Sequence, residues 1–432
     1  MIGAPVATAQ DKAAPAPATV DSVPAAAMPS PDGKFDPAAA TRAWLDSYPA
    51  EKRAKSDAYF EGTYWLILWD FLFGAAILLL LLGTRISARM RDFAVRKTSL
   101  KSLQVALYVV PFIVLTYALS FPLTVYEDFF RQHQYGLATQ TFWPWFGEQM
   151  IALGVSVVGT GLLLVALYAV FRRAPRTWWL WGTGVSIIFL AIGLMISPVY
   201  IEPLFNDYVP ITDPKISEPI LAMARANQIP VKQVFMVNAS KQTTRVSANV
   251  SGFLGTARIA LNDNLLNQSG LPEIRMVMAH EMGHYVLNHI NKFLVYFTLI
   301  IAIGFALTRS VFDACVRRWG PGWGVSGIAD PAGLPLLALI LSVFFFVMTP
   351  IKNSMIRVTE READAFGINT SGEPEGFARA ALKLAQYRKL DPGPLEEIIF
   401  YDHPSGRARI RMAMDWKAEH LPAAPVPAPR LP

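Results

Sequence analysis

The residues best suited to chemistry are His280-Glu281-Met282-Gly283-His284, the pattern HExxH. On a helix, four residues advance by about 400°, so both histidines project from one face and can grip one metal ion. Imidazole nitrogen suits zinc at ~2.0–2.1 Å. Glu281, beside the first histidine, is placed to take a proton from water held at the metal, because zinc lowers that water's pKa from about 15.7 to around 7. The alternative is two core histidines next to an accidental glutamate. The chain has only six histidines, and the apolar flanks Val277-Met278-Ala279 and Tyr285-Val286-Leu287 supply the setting of a buried zinc helix.

Two histidines and a water leave one ligand to find. The metzincin pattern requires Gly and His at positions occupied here by Leu287 and Ile290, so that class fails. His289 is one residue out of register and reads as a helix-end residue. A carboxylate on another helix is the better source, and the stretch Asn353-Ser354-Met355-Ile356-Arg357-Val358-Thr359-Glu360-Arg361-Glu362-Ala363-Asp364 offers it. Glu360 and Asp364 are four apart and share a helix face. One can bind the metal while the other orients a ligand histidine through its free ring N–H. Arg361 and Glu362 read as an exposed charged helix end.

The elements that must position these groups are largely membrane spans. Of 432 residues, 53% are hydrophobic and 17% charged, against about 25% charged in average soluble domains. The apolar surplus lies in runs near 64–83, 104–124, 150–171, 178–200, 291–312 and 333–351, each approaching the ~20 residues that cross ~30 Å of hydrocarbon. Only helices satisfy their backbone there as open segments. The single cysteine, Cys315, excludes an internal disulfide and any multi-cysteine metal site. The net charge of +6 sits beside apolar runs, as in membrane proteins, which argues against nucleic acid as a partner. Asp70 falls inside the first run and implies either an aqueous chamber or a helix-packing hydrogen bond. Phe142-Trp143-Pro144-Trp145-Phe146 reads as an interfacial aromatic belt.

The expected architecture is mainly α: a polytopic protein of about six transmembrane helices with a small α+β zinc metallopeptidase domain. Residues 1–60 read as a disordered Ala/Pro-rich tail. Within it Ala7-Thr8-Ala9, before Gln10, either ends a secretory signal or is chance. Spans occupy 61–200. The peptidase domain with the HExxH helix covers 201–290, spans five and six cover 291–351, and the third-ligand helix with the rest of the peptidase domain covers 352–420. A Pro-rich tail, 421–432, closes the chain. In the polar stretch a helix is expected over Lys215 to Asn227, with strands at Gln233–Val237, Arg245–Phe253 and Ala257–Leu261. Pro272 and Glu273 then open the HExxH helix.

HExxH followed much later by NxxxRxxExxAD on a helix leaving a span resembles the CAAX prenyl protease type I family of integral-membrane gluzincin zinc metallopeptidases. Supporting patches are Glu61-Gly62-Thr63, Tyr200-Ile201-Glu202-Pro203-Leu204-Phe205, Ser247-Ala248-Asn249, Arg258 to Asp263, His403-Pro404 and Arg409-Ile410. The resemblance spans about residues 58–416. It implies one zinc on His280, His284 and Glu360, with Glu281 as base. Asp364 and Arg357 would stand behind the ligands, and Asn249, His403 and Arg409 would face the substrate or its oxyanion. The chain departs from the family pattern at Ser247, at Val250 and in the Ala/Pro tail that replaces an N-terminal span.

The expected function is zinc-dependent endopeptidase action on membrane-associated or misfolded polypeptides. Processing of prenylated C-termini is the alternative, and a transporter or channel with an ion site a minor one, since Asp70 is the lone intramembrane acid in these runs and no repeat is visible. The expected location is a bacterial inner membrane. Loops on the far side from the zinc domain carry Arg85, Arg89, Arg91, Arg96, Lys97, Lys101, Arg172, Arg173 and Arg176, whereas the short zinc-side loop at 126–147 offers only Arg131. Because positive short loops stay cytoplasmic, this distribution puts the zinc site on the extracytoplasmic face. The family resemblance implies the cytoplasmic face instead.

Overall fold

The computed structural model describes residues 22–30, 33–251 and 257–420. The Ala7-Thr8-Ala9 segment and the 421–432 tail lie outside these residues. The expected tail to residue 60 is corrected from residue 37 onward, where two helices begin, α1 (Pro37–Asp46) and α2 (Ala50–Gly83). Asp36 caps α1 by accepting from the Ala38 and Ala39 amides at 2.8 and 3.2 Å, with Pro37 in the first turn, a favourable start for a helix. The Ala-rich composition that suggested disorder instead lets α1 pack closely, with Trp44 fully buried.

At 1.5 Å per residue, α2 is about 51 Å long, well beyond the ~30 Å of hydrocarbon. Its polar first turns therefore project from the membrane, where Ser56 donates to the Arg388 carbonyl and Tyr64 to Glu396. Next come α3 (Ile86–Lys97), α4 (Lys101–Thr124), a π-helical turn (Val125–Phe130) and α5 (Arg131–Gln134), then α6 (Phe142–Arg173) and α7 (Trp178–Ile196). With α11 (His289–Trp323), five helical stretches among the described residues are long and apolar enough to cross a membrane. The sixth run is broken: α12 (Leu334–Val347) meets α13 (Thr349–Ser371) after a bend of 57°. Pro350 in the first turn of α13 suits a fresh helix start and not a continuing one. Asp70 faces Glu127 of the second span.

The polar stretch folds as β1 (Tyr208–Pro210), α8 (Pro214–Ala226), β2 (Val234–Val237), β3 (Ala248–Ser251), β4 (Arg258–Asn262), α9 (Asp263–Gln268) and α10 (Leu271–Val286). The sheet order is β1-β2-β4-β3, with β2 and β4 parallel and the other pairs antiparallel. The expected helix and three strands are present, with β3 starting at Ala248 and not at Arg245; the three-residue β1 was not foreseen. After α13 come α14 (Pro374–Leu384), α15 (Pro394–Phe400) and α16 (Gly406–Glu419). The HExxH helix α10 lies between two cores. Met276 enters one built with α1, α14 and α16, while Ile274, Met278, Ala279 and Met282 enter another built with α8 and the sheet. Its histidine face is left to meet α13.

Candidate metal centre

Two glycines let α10 and α13 touch. A Cβ on Gly283 would sit 3.2 Å from the Ala363 Cα, and one on Gly367 would sit 3.0 Å from the His280 nitrogen, so either would push the two helix backbones apart. This approach brings Glu360 to the histidines. His280 Nε2 lies 3.2 Å from His284 Nε2 and 3.3 Å from Glu360 Oε2, and His284 Nε2 lies 3.4 Å from Glu360 Oε1. Among the described residues these three form a group that could hold a metal ion, with one donor atom each within 4.8 Å of the others.

Partners behind the ring nitrogens set which lone pairs face inward. His280 Nδ1 donates to Asp364 Oδ1 at 2.8 Å, which leaves Nε2 as the free donor atom. His284 Nδ1 meets His289 Nδ1 at 2.8 Å, and His289 Nε2 donates to Glu362 Oε2 at 3.0 Å. His289 is thus a buried support for the second histidine, and Glu362 is part of the same chain instead of a bare helix end; Lys292 donates to Glu362 as well. Spacing along one helix could not reveal this, because Asn288 takes a left-handed conformation (φ 55) and breaks α10 from α11.

Arg409 is buried and committed to acids, with Nε 2.8 Å from Asp364 Oδ2 and Nη2 3.4 Å from Glu360 Oε2. His403 Nε2 lies 3.2 Å from Glu360 Oε2, and Asp402 accepts from His403 Nδ1 at 2.7 Å. Arg357 corrects the expectation that it stands behind the ligands. Its guanidinium instead donates to the Glu397 and Tyr401 carbonyls at 2.7 and 2.5 Å, anchoring the segment that leads to His403. Glu281, His280, His403 and Arg409 line a cavity of about 210 Å³ whose walls include Leu265, Met276, Val277 and Phe377. Asn249 lines an adjoining cavity of about 400 Å³ that shares Val246, Ser247 and Ala248 with the first. Its Oδ1 is buried without a hydrogen-bond partner.

Burial opposes charge on His280, but the hydrogen bonds to Asp364 and Glu360 outweigh it and push the pKa up to about 10. Burial likewise opposes ionisation of Glu360, yet His280 and His403 hold its pKa well below the ordinary carboxylate value. The acids therefore draw positive charge toward the point where the Nε2 atoms meet. Burial pushes the Glu281 carboxyl up to about 7, although His280 pulls it down.

Residues 38–207 match the family model described as CAAX prenyl protease N-terminal, five membrane helices, and residues 210–417 match peptidase family M48. A Bacillus subtilis protein, the uncharacterized metalloprotease YhfN, is 33% identical over 290 residues, covering 67% of this chain and 68% of that one. The CAAX prenyl protease 1 of Saccharomyces cerevisiae is 26% identical over 69% of each chain. The crystal structure of S. mikatae Ste24p shares the fold, with a TM-score of 0.72 at 23% identity over 86% of this chain and 90% of that one. The chain belongs to peptidase family M48 and is a multi-pass membrane metallopeptidase.

Proposed function

We propose that the chain holds one zinc ion through His280, His284 and Glu360 and uses it to hydrolyse peptide bonds in membrane-associated or misfolded polypeptides. The observation that carries this is the spacing of the three donor atoms. A tetrahedral ion with bonds of ~2.0–2.1 Å separates its ligands by about 3.3 Å; here the two Nε2 atoms lie 3.2 Å apart, that of His280 3.3 Å from Glu360 Oε2 and that of His284 3.4 Å from Glu360 Oε1. Bound zinc would supply Lewis acidity and lower the pKa of water at the site to around 7. Glu281 lines the same cavity and would take a proton from water there, burial having made its carboxylate more basic than an ordinary one.

His403 points Nε2 into the same space and is assigned the developing oxyanion, where one donor is worth ~2.7–4 kcal/mol. Arg409, spent on Asp364 and Glu360, fixes the ligand carboxylate in place. β3 is an edge strand of the sheet beside α10, so an extended substrate can pair with it. The unpartnered Asn249 Oδ1 would then accept a substrate N–H. The apolar walls of the 210 Å³ cavity favour an apolar side chain next to the cleaved bond.

Glu281→Ala tests the mechanism. Hydrolysis of casein should be abolished while purified protein still holds one zinc, and near-normal turnover in the variant would sink the mechanism. The yeast relative, a CAAX prenyl protease, supports a second reading, processing of prenylated C-termini. A farnesylated peptide cut far faster than its unmodified counterpart would favour it. The proposed location is a bacterial inner membrane with the metal site on the extracytoplasmic face, supported by the arginine-rich far loops. Alkaline phosphatase fused after His420 should be active; an inactive phosphatase with a fluorescent GFP fusion at the same point would reverse the orientation.

A further inference from the structure

At the end of the bundle away from the metal centre, a cavity of about 440 Å³ opens between α3, the start of α4, the end of α6 and the 326–331 loop. Its distance from the metal half follows from α6. Glu148, near the start of this helix, accepts from Gln242 of the peptidase domain, and Arg172 lies 24 residues further on, about 36 Å along the axis. The cavity wall carries three cations, Arg91, Lys101 and Arg172, and one acid, Asp330.

The acid is already neutralised. Asp330 accepts from Arg91 at 2.7 Å, from Ser326 through its amide and hydroxyl, and from the Ala332 amide. Arg91 is fully engaged, since it also meets Asp92 and the Gly324 carbonyl. Arg172 and Lys101 have no acid partner among the described residues; Lys101 reaches only Gln104 Oε1, at 3.3 Å. Two uncompensated positive charges therefore face one cavity, and Lys101 stands in the first turn of a 24-residue helix, whose free amides add to the attraction for an anion.

The surroundings are apolar and outward-facing. Val95 and Val105 line the cavity, and beside it Phe93, Val95, Leu100 and Leu103 are exposed. On α3, Phe93 and Val95 stand among Arg89, Arg91, Arg96 and Lys97, the composition of a helix lying in a membrane interface. We propose that this cavity binds the phosphate headgroup of an anionic phospholipid, with Arg172 and Lys101 on the phosphate and the acyl chains along Leu100 and Leu103. A free phosphate would use the same charges but has no need of the apolar flank.

The test is native mass spectrometry of the full chain in detergent, titrated separately with phosphatidylglycerol, phosphatidylcholine and glycerol 3-phosphate. Phosphatidylglycerol should bind at least about tenfold more tightly than phosphatidylcholine. Each of Arg172→Gln and Lys101→Gln should reduce that preference about fivefold, as expected for one cation at a membrane surface. Neither substitution removes an ion pair, so the two variants check one another. Arg317→Gln, an exposed cation on α11 that does not line the cavity, should leave the preference intact. Equal binding of the two lipids overturns the proposal, as does an undiminished preference in both cavity variants. Glycerol 3-phosphate binding as tightly as the lipid would make this a soluble-anion site and overturn the lipid assignment. An Arg317→Gln loss equal to that of Arg172→Gln would reduce the effect to general surface charge.

Discussion

The two halves of the molecule bury different things. In the metal half, α10 and α13 enclose charged groups that pair with one another: Asp364 with Arg409 and His280, His289 with Glu362 and His284. In the membrane half, the spans expose their side chains. Only 11% of the apolar window of α6 and 6% of that running through α7 is buried inside the chain. Ions cannot be left unpaired out of water, whereas an apolar side chain is equally at home against lipid or protein. Single substitutions should therefore act sharply and specifically in the first half and weakly in the second.

The largest expected effect is at the metal. Glu360→Ala removes a donor atom and should lower zinc affinity by more than the ~10–100-fold seen when an outer partner is lost. Glu362→Ala, two residues along the same helix, acts only through His289 and should stay within that range. Zinc content after dialysis against graded chelator separates the two, and equal losses would break the assignment of Glu360 as ligand.

Next is the clamp formed by α1. Trp44 is fully buried with Ile368, Phe377 and Ile410 in the core that also receives Met276 of the HExxH helix. Trp44→Ala should cost about 3–5 kcal/mol, read as a fall in unfolding midpoint that accompanies loss of zinc retention. An unchanged midpoint would mean that α1 is dispensable to the metal half. A smaller effect is expected at His289. His289→Ala frees the His284 ring, so zinc affinity should fall ~10–100-fold with the midpoint of the zinc-free protein moving much less. A fall beyond that range would promote His289 from support to ligand.

The HExxH pair was legible because helix period alone fixes which residues share a face, and Glu360 with Asp364 followed from the same rule. His289 was not, because the left-handed turn at Asn288 interrupts that period. The six apolar runs fixed where spans lie but not where helices end. The first turns of α2 are polar and a π-helical turn carries the second span on to Gln134; Arg388 and Arg245 of the peptidase domain bond to Ser56 and Gln132 there. The start of α1 was marked by Asp36-Pro37, a capping signal obscured by the Ala-rich composition around it. Arg357 and Arg409 show the other limit. Arg357 lies in the NxxxRxxExxAD motif and Arg409 in a separate patch, yet one anchors carbonyls and the other pins carboxylates, and only the fold decides between such partners.

The smallest expected effect lies in the membrane half and tests the comparison from its other side. Val158 and Leu162 are 63% and 59% exposed on α6, while Phe171 on the same helix is fully buried against Trp178 with ring centroids 5.0 Å apart. A span already inserted in lipid keeps its outward side chains in hydrocarbon whether or not the bundle is assembled, so the hydrophobic effect does not distinguish the two states. Val158→Ala and Leu162→Ala should each change stability in mild detergent by less than about 0.5 kcal/mol, the range of substitutions away from packed features. Phe171→Ala removes packing that no lipid tail fills as closely and should cost about 3–5 kcal/mol. If the Leu162 substitution cost as much as the Phe171 one, that face of α6 would be covered by protein, either a second copy or a substrate, and the contrast between the halves would fail there.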